Sequence, residues 1–277
     1  MSTSAPESPR SPWATRRARA LRLAPEAPHA AEILSVYAEL TVLQEDVASR
    51  VPIGRWIDPV RSEEVGAPQL RLHRLPAGEL IPLFGDFIAE AVQVGPDPMR
   101  ASAREWRDSP VAELVATLES ALGKSPDTSG PFHVRAFVQA IATVLAGTVD
   151  RPLEGTAGRR CPICGGPPVV GVLQDLPDAQ GSRALVCDIC GSSWRVGRLV
   201  CAGCDRSDPD GLAVHTAETL PHVRLDACRS CRHYVKSVDL RRRGNAVPLV
   251  DDLATVELDL WAREQGMVRV GPNLFWL

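Results

Sequence analysis

Eight cysteines, all between Cys161 and Cys231 and arranged as four C-x-x-C pairs with none left over, constrain this 277-residue chain more than any other feature. The pairs are Cys161 and Cys164, Cys187 and Cys190, Cys201 and Cys204, and Cys228 and Cys231. A two-residue spacer lets both sulfurs of a pair turn toward one ion, so two pairs complete a tetrahedron with metal–sulfur distances of about 2.3 Å for zinc. Spacing indicates which pairs combine. Cys164 and Cys187 are separated by 22 residues and Cys204 and Cys228 by 23, close to the usual ribbon spacing, whereas only 10 lie between Cys190 and Cys201. Sequential use of the pairs is therefore favoured over an interleaved one. It gives two consecutive ribbons, the first on Cys161, Cys164, Cys187 and Cys190, the second on Cys201, Cys204, Cys228 and Cys231. All four positions of each site come from protein, which leaves none for water or substrate and marks such sites as structural rather than catalytic.

The residues after the cysteines refine this picture. Gly165 follows Cys164 and Gly191 follows Cys190, and glycine permits the left-handed turn that aims backbone N–H groups at a thiolate. Asp205 and Arg232 hold the equivalent places in the second set, so the first site is expected to be the tighter. Three other uses of the cysteines fit less well. Thioredoxin-type motifs head a helix after a strand, which four tandem copies at ribbon spacing do not resemble. Two-pair spacing favours a mononuclear ion over an iron–sulfur cluster. A nucleic-acid-binding ribbon needs positive charge; residues 151 to 247 carry 13 Arg and 1 Lys against 8 Asp and 2 Glu, a surplus that two divalent ions in four thiolates would cancel. Only Trp194 and Tyr234 offer stacking surfaces there.

Charge over the whole chain is nearly balanced, 31 basic against 34 acidic side chains, so no global attraction to nucleic acid or an anionic membrane is expected. No segment approaches the ~20 apolar residues of a membrane-spanning helix, and a soluble protein without membrane insertion is expected. Thr15-Arg16-Arg17 resembles the start of a twin-arginine export signal, but Arg19 and Arg22 follow in place of an apolar run. Residues 1 to 26, rich in Ser, Pro, Ala and Arg, read as a mobile, disordered tail, and a cytoplasmic location is expected. In that reducing compartment, paired cysteines are more readily explained by metal than by disulfides.

Residues 27 to 150 read as a helical domain with four helices. Ile33, Val36, Tyr37, Leu40, Leu43 and Val47 share one face; Leu80, Phe84, Phe87, Ile88, Ala91 and Val92 mark a second helix, stopped by Gly95-Pro96. A third is bounded by Ser109 as N-cap, Pro110 at the first helical position and Gly123 at its end; the fourth runs from Pro131 to Gly147. His29, His73 and His133 are isolated from one another and are assigned no role. Residues 151 to 277 form the second domain. Val169 to Leu173, Ala184 to Val186 and Ser193 to Val196 are short strands that cannot bury much surface alone, so metal is expected to supply stability. A C-terminal helix from Asp251 to Gly266 is expected to expose Asp252, Glu257, Asp259, Arg263 and Glu264, followed by an extended tail. The fold class expected is α+β: an N-terminal helical domain, two tandem rubredoxin-like or zinc-ribbon modules, and a C-terminal helix.

Cys161-Pro162-Ile163-Cys164-Gly165 with Pro167-Pro168-Val169-Val170, then Leu185-Val186-Cys187-Asp188-Ile189-Cys190 with Trp194-Arg195-Val196-Gly197-Arg198, resemble the formate dehydrogenase accessory protein family, FdhE. Asp226-Ala227-Cys228-Arg229-Ser230-Cys231-Arg232-His233-Tyr234-Val235-Lys236 and Asp251-Asp252-Leu253-Ala254-Thr255 continue the likeness. The tail departs from it, with Gly271-Pro272-Asn273-Leu274-Phe275 in place of an Asn-Pro-Phe order. The resemblance implies a cytoplasmic factor, not an enzyme, that is required for active formate dehydrogenase and contacts its catalytic subunit. It also implies two mononuclear metal ions, iron with zinc as the alternative, since four thiolates suit both. No nucleic-acid partner is implied. The competing functions are a rubredoxin-like electron-transfer protein and a nucleic-acid-binding zinc-ribbon protein; no G-x-G-x-x-G or P-loop supports a nucleotide-using enzyme.

Overall fold

A computed structural model describes residues 11–64, 66–123, 130–149, 158–208 and 210–276. Among the described residues seven α-helices precede the cysteines: α1 (Pro12–Leu23), α2 (Ala31–Ser49), α3 (Ile53–Val60), α4 (Ala77–Ala91), α5 (Asp97–Asp108), α6 (Val111–Ala121) and α7 (Phe132–Ala146). The four helices expected from periodicity are α2, α4, α6 and α7.

The other three helices correct the sequence reading. The stretch read as a tail contains α1, where Ser11 caps the first turn by accepting from the Ala14 amide at 3.0 Å and Pro12 opens it. Trp13, Arg19, Ala20 and Leu23 of this helix are buried. Residues 1 to 10 lie outside the described residues. Ser109 is not the N-cap of α6: it ends α5, its hydroxyl donating to the Glu105 carbonyl at 2.9 Å, and Pro110 takes the cap position. The charged stretch around Trp106 is thereby helical, with the indole set edge-on to Phe84 at 6.4 Å.

Beyond Cys161 the chain forms a single sheet. Its strands are β1 (Pro168–Leu176), β2 (Ala179–Cys187), β3 (Ser193–Val196), β4 (Leu212–Thr216), β5 (Val223–Cys228), β6 (His233–Asp239) and β7 (Val268–Arg269). The order is β3-β2-β1-β6-β5-β4, with β7 on the start of β6. Each ribbon is an antiparallel trio, and the two trios join where β1 pairs parallel to β6, Gly171 opposite Ser237. The junction needs glycine: a Cβ at 171 would lie 2.3 Å from Ser237 Oγ. That hydroxyl donates to Asp226 Oδ2 at 2.7 Å, and buried Arg183 of β2 places Nε 3.4 Å from the same oxygen. Two ribbons that could not bury enough surface alone thus share one sheet, and β1 is buried on both faces over its first six residues.

The expected single C-terminal helix is two, α8 (Pro248–Leu253) and α9 (Val256–Glu264), broken at Ala254-Thr255. Its expected polar face is also corrected: Arg263 and Glu264 are exposed and Glu257 is half-buried, but Asp252 and Asp259 are buried. The helical half and the ribbons share one apolar core. Leu40, Val47, Leu80, Phe84, Phe137 and Ile141 from the helices belong to the same cluster as Ile163, Leu185, Ile189 and Trp194 and the four cysteines of the first set. On the other face, Val170, Val172, Val186, Val223 and Val238 pack with Leu258.

Candidate metal centres

Each C-x-x-C pair sits in a tight turn whose first cysteine accepts, through its carbonyl, from the amide four residues on. These bonds run from Gly165 to Cys161 at 2.8 Å, Gly191 to Cys187 at 3.1 Å, Asp205 to Cys201 at 3.0 Å and Arg232 to Cys228 at 3.0 Å. All four donor residues have positive φ: 78° at Gly165, 67° at Gly191, 58° at Asp205 and 62° at Arg232. The second module therefore adopts the same left-handed geometry without glycine. Aspartate tolerates it, while an arginine there costs on the order of 1 kcal/mol.

The turns bring the eight sulfurs into two sets, those expected from sequential pairing. In each set all four Sγ atoms lie within 4.8 Å of one another. In the first, Cys161 and Cys190 are 3.7 Å apart and Cys164 and Cys187 are 3.4 Å apart; in the second, Cys201 and Cys231 are separated by 3.6 Å and Cys204 and Cys228 by 3.9 Å. A tetrahedral ion with 2.3 Å bonds requires sulfurs about 3.8 Å apart, while a disulfide requires about 2.05 Å. The donor sets fit a metal ion and do not fit disulfides.

Acidity supports the same fit. Cys164 is pushed well above the ordinary thiol range, first by its contact with Cys161, and Cys187 is pushed up by burial and its sulfur neighbours. Cys190 is pushed well down by contacts from Cys161, Cys164 and Cys187. Four crowded sulfurs share protons this way because they cannot all ionise without a cation between them. In the second set burial raises Cys201. At Cys228 burial also acts upward but is outweighed by the Cys231 and Ser230 amides, which bring the thiol down to about 7.

The two sets differ in their surroundings. The first is fully buried, and the helical half closes over it. Gln69 and Leu70 donate backbone N–H groups to the Pro162 and Ile163 carbonyls at 3.0 and 2.7 Å. Gln139 donates to the Asp188 carbonyl at 2.9 Å, and Arg135 reaches the Asp188 carboxylate at 3.2 Å. Burial raises the Asp188 carboxyl, with the Arg135 charge acting against it. In the second set Cys204 and Cys231 are half-buried at the surface.

Sequence reasoning missed a buried charge cluster beside the sheet. Lys236 is wholly buried; its ammonium donates to the carbonyls of Asp252 at 2.7 Å and Thr255 at 3.1 Å, and pairs with the Asp252 and Asp259 carboxylates. Arg269 bridges the same two carboxylates at 2.6 and 2.7 Å, and Tyr234 donates to Asp259 at 2.8 Å. Burial would raise Asp252, but Arg269 and Lys236 outweigh it and hold the carboxyl low. Two cations and two anions cancel, which is what allows the group to be buried. The sequence reading set Asp252 and Asp259 on the exposed face of one helix; they lie instead on α8 and α9, buried against partners on strands.

Of the histidines assigned no role, His29 lies at the surface against Glu257 at 2.9 Å and His133 is buried in α7. Among the described residues no helix is long and apolar enough to cross a membrane.

The arrangement has relatives. The model for the FdhE central domain matches residues 160–198 and that for the FdhE C-terminal domain residues 199–276, so the boundary between them separates the two cysteine sets. The Protein FdhE homolog of Stutzerimonas stutzeri is 29% identical over 279 residues, covering 96% of this chain and 90% of its own. The homolog from Pseudomonas aeruginosa is 28% identical, covering 95% and 89%. That from Aquifex aeolicus is 29% identical over 209 residues, 75% of this chain and 74% of its own. The crystal structure of the FdhE protein from Pseudomonas aeruginosa superposes with a TM-score of 0.74 at 25% identity, covering 95% of both chains. Both cysteine modules are matched in order by the FdhE central and C-terminal domain models, and the chain is similar in fold to an FdhE protein over nearly its whole length.

Proposed function

We propose that this chain is a cytoplasmic accessory factor for formate dehydrogenase, which binds the enzyme's catalytic subunit during maturation and turns over no substrate itself. The observation that carries the reading is the pair of closed four-thiol sets in a fold shared with FdhE proteins. Cys161, Cys164, Cys187 and Cys190 would hold one ion, and Cys201, Cys204, Cys228 and Cys231 another. Iron is the ion we favour, with zinc as the alternative. With four protein ligands each, the ions would serve as staples that hold the ribbon turns rigid, lowering the ordering cost of recognising a client.

The test is capture of the catalytic subunit of formate dehydrogenase by the tagged full-length chain, with formate oxidation measured in cells lacking the gene. Retention of the subunit together with loss of formate oxidation in the deleted strain is expected. Normal formate oxidation without the chain overturns the reading. Half-exposed Cys204 and Cys231 are what an electron-transfer protein would use. Reversible oxidation of the iron form at a potential matched to the dehydrogenase would favour that second reading.

A further inference from the structure

β4 ends the sheet, and no described strand pairs with its outer edge. Bare edges are normally blunted by lysine, proline, a bulge or an inward charge. Leu212-Ala213-Val214-His215-Thr216 has no charged residue and no proline, and its pairing with β5 runs without a register shift from Leu212 opposite Cys228 to Thr216 opposite Arg224. Val214 is 51% exposed. Beside this edge lies a groove of about 420 Å³ lined by Val214, His215, Ala217, Leu225, Leu258 and Trp261. Trp261 of α9 packs on the His215 ring at 4.9 Å, so the helix forms one wall and the strand the other.

We propose that this edge and groove bind an extended segment of the client polypeptide by strand addition. The segment has an uncharged, alternately apolar centre of about five residues and basic residues at its ends. The proposal rests on the assembly-factor reading and names the surface that the client uses. Backbone groups along β4 supply hydrogen bonds, and the groove takes an alternate side chain of the added strand. Charge selects the occupant. Asp208 and Asp210 precede the strand and Glu218 follows it, while Arg224, opposite Thr216 on β5, is already paired with Asp226 at 2.9 Å. A second copy of this chain fits worse, because antiparallel pairing centred on Val214 sets Asp210 of each copy against Glu218 of the other.

The experiment compares the full-length chain with Val214→Lys and Val214→Thr, using the intact catalytic subunit of a formate dehydrogenase and overlapping peptides that span it. The position is exposed, so both variants are expected to keep their metal content and melting temperature. Wild type and Val214→Thr should bind the subunit and a peptide with basic ends, while Val214→Lys weakens both by at least about tenfold. Undiminished binding of the subunit by Val214→Lys overturns the edge site and leaves the assembly reading standing. Failure of the wild type to bind the subunit overturns both. A dimer in sedimentation that Val214→Lys dissociates, with no peptide bound, shows a second copy to be the occupant and overturns the client assignment.

Discussion

Arg135 of α7 and Asp188, the residue after Cys187, form an ion pair at 3.2 Å whose side chains are 2% and 3% exposed. The same guanidinium donates to the Asn273 carbonyl at 3.1 Å and stacks over Trp276 at 4.8 Å. One side chain thus ties the helical half, the turn of the first cysteine set and the C-terminal segment together. Phe275 adds to the tie by packing on Phe132 and Tyr37, with ring centres 5.3 and 6.4 Å apart.

Arg135→Ala is therefore expected to destabilise the chain by about 3–5 kcal/mol, since it leaves the Asp188 carboxylate buried and unpaired. Urea unfolding measures this. Limited proteolysis should show earliest cleavage around residues 271–276; a loss under 1 kcal/mol with the C-terminus still protected would contradict the coupling.

Metal analysis should find about two ions per chain, and each cysteine set should lose its own. Cys161→Ser is expected to leave about one ion and to loosen the helical half as well as the ribbons, because the first set lies in their common core. Cys201→Ser also leaves about one ion but keeps the helical half protected, since its set lies at the surface. Amide exchange separates the two variants, and equal protection of α7 in both would refute the ranking.

His133 sits in α7 with Nδ1 unpartnered among the described residues, and burial pushes the imidazole down to about 4. Its folded value lies below the unfolded value of about 6.5, so the unfolded chain binds the extra proton between the two. The contribution is fully present above pH 6.5 and is lost as the pH falls toward 4, by up to about 3 kcal/mol. His133→Phe should flatten stability over that window; unchanged pH dependence would show that His133 does not set it.

Arg232 holds a left-handed conformation at φ 62°, and its guanidinium bond to the Gln265 carbonyl is exposed. Arg232→Gly is expected to raise stability by up to about 1 kcal/mol with metal content unchanged. Chemical denaturation decides it, and a decrease would mean that the exposed bond outweighs the relief of the turn.

The sequence by itself determined the elements whose causes are local. A C-x-x-C turn sets its own two sulfurs a few ångströms apart, so eight cysteines at ribbon spacing announced both sets, and Asp205 and Arg232 took the glycine conformation because the turn requires it. The apolar periods of α2, α4, α6 and α7 were legible for the same reason. What only the tertiary structure decided was the fate of charge. Arg19 looked like part of a solvated tail until Asp251 met its Nε at 2.9 Å across 232 positions, and Asp252 and Asp259 looked like a solvent-facing stripe until Lys236 and Arg269 neutralised them. The union of two ribbons into one sheet through Gly171 and Ser237 was equally invisible. Burial of an ionised group is tolerated only where an opposite charge arrives from elsewhere in the chain, and that arrival depends on the whole fold rather than on any window of sequence.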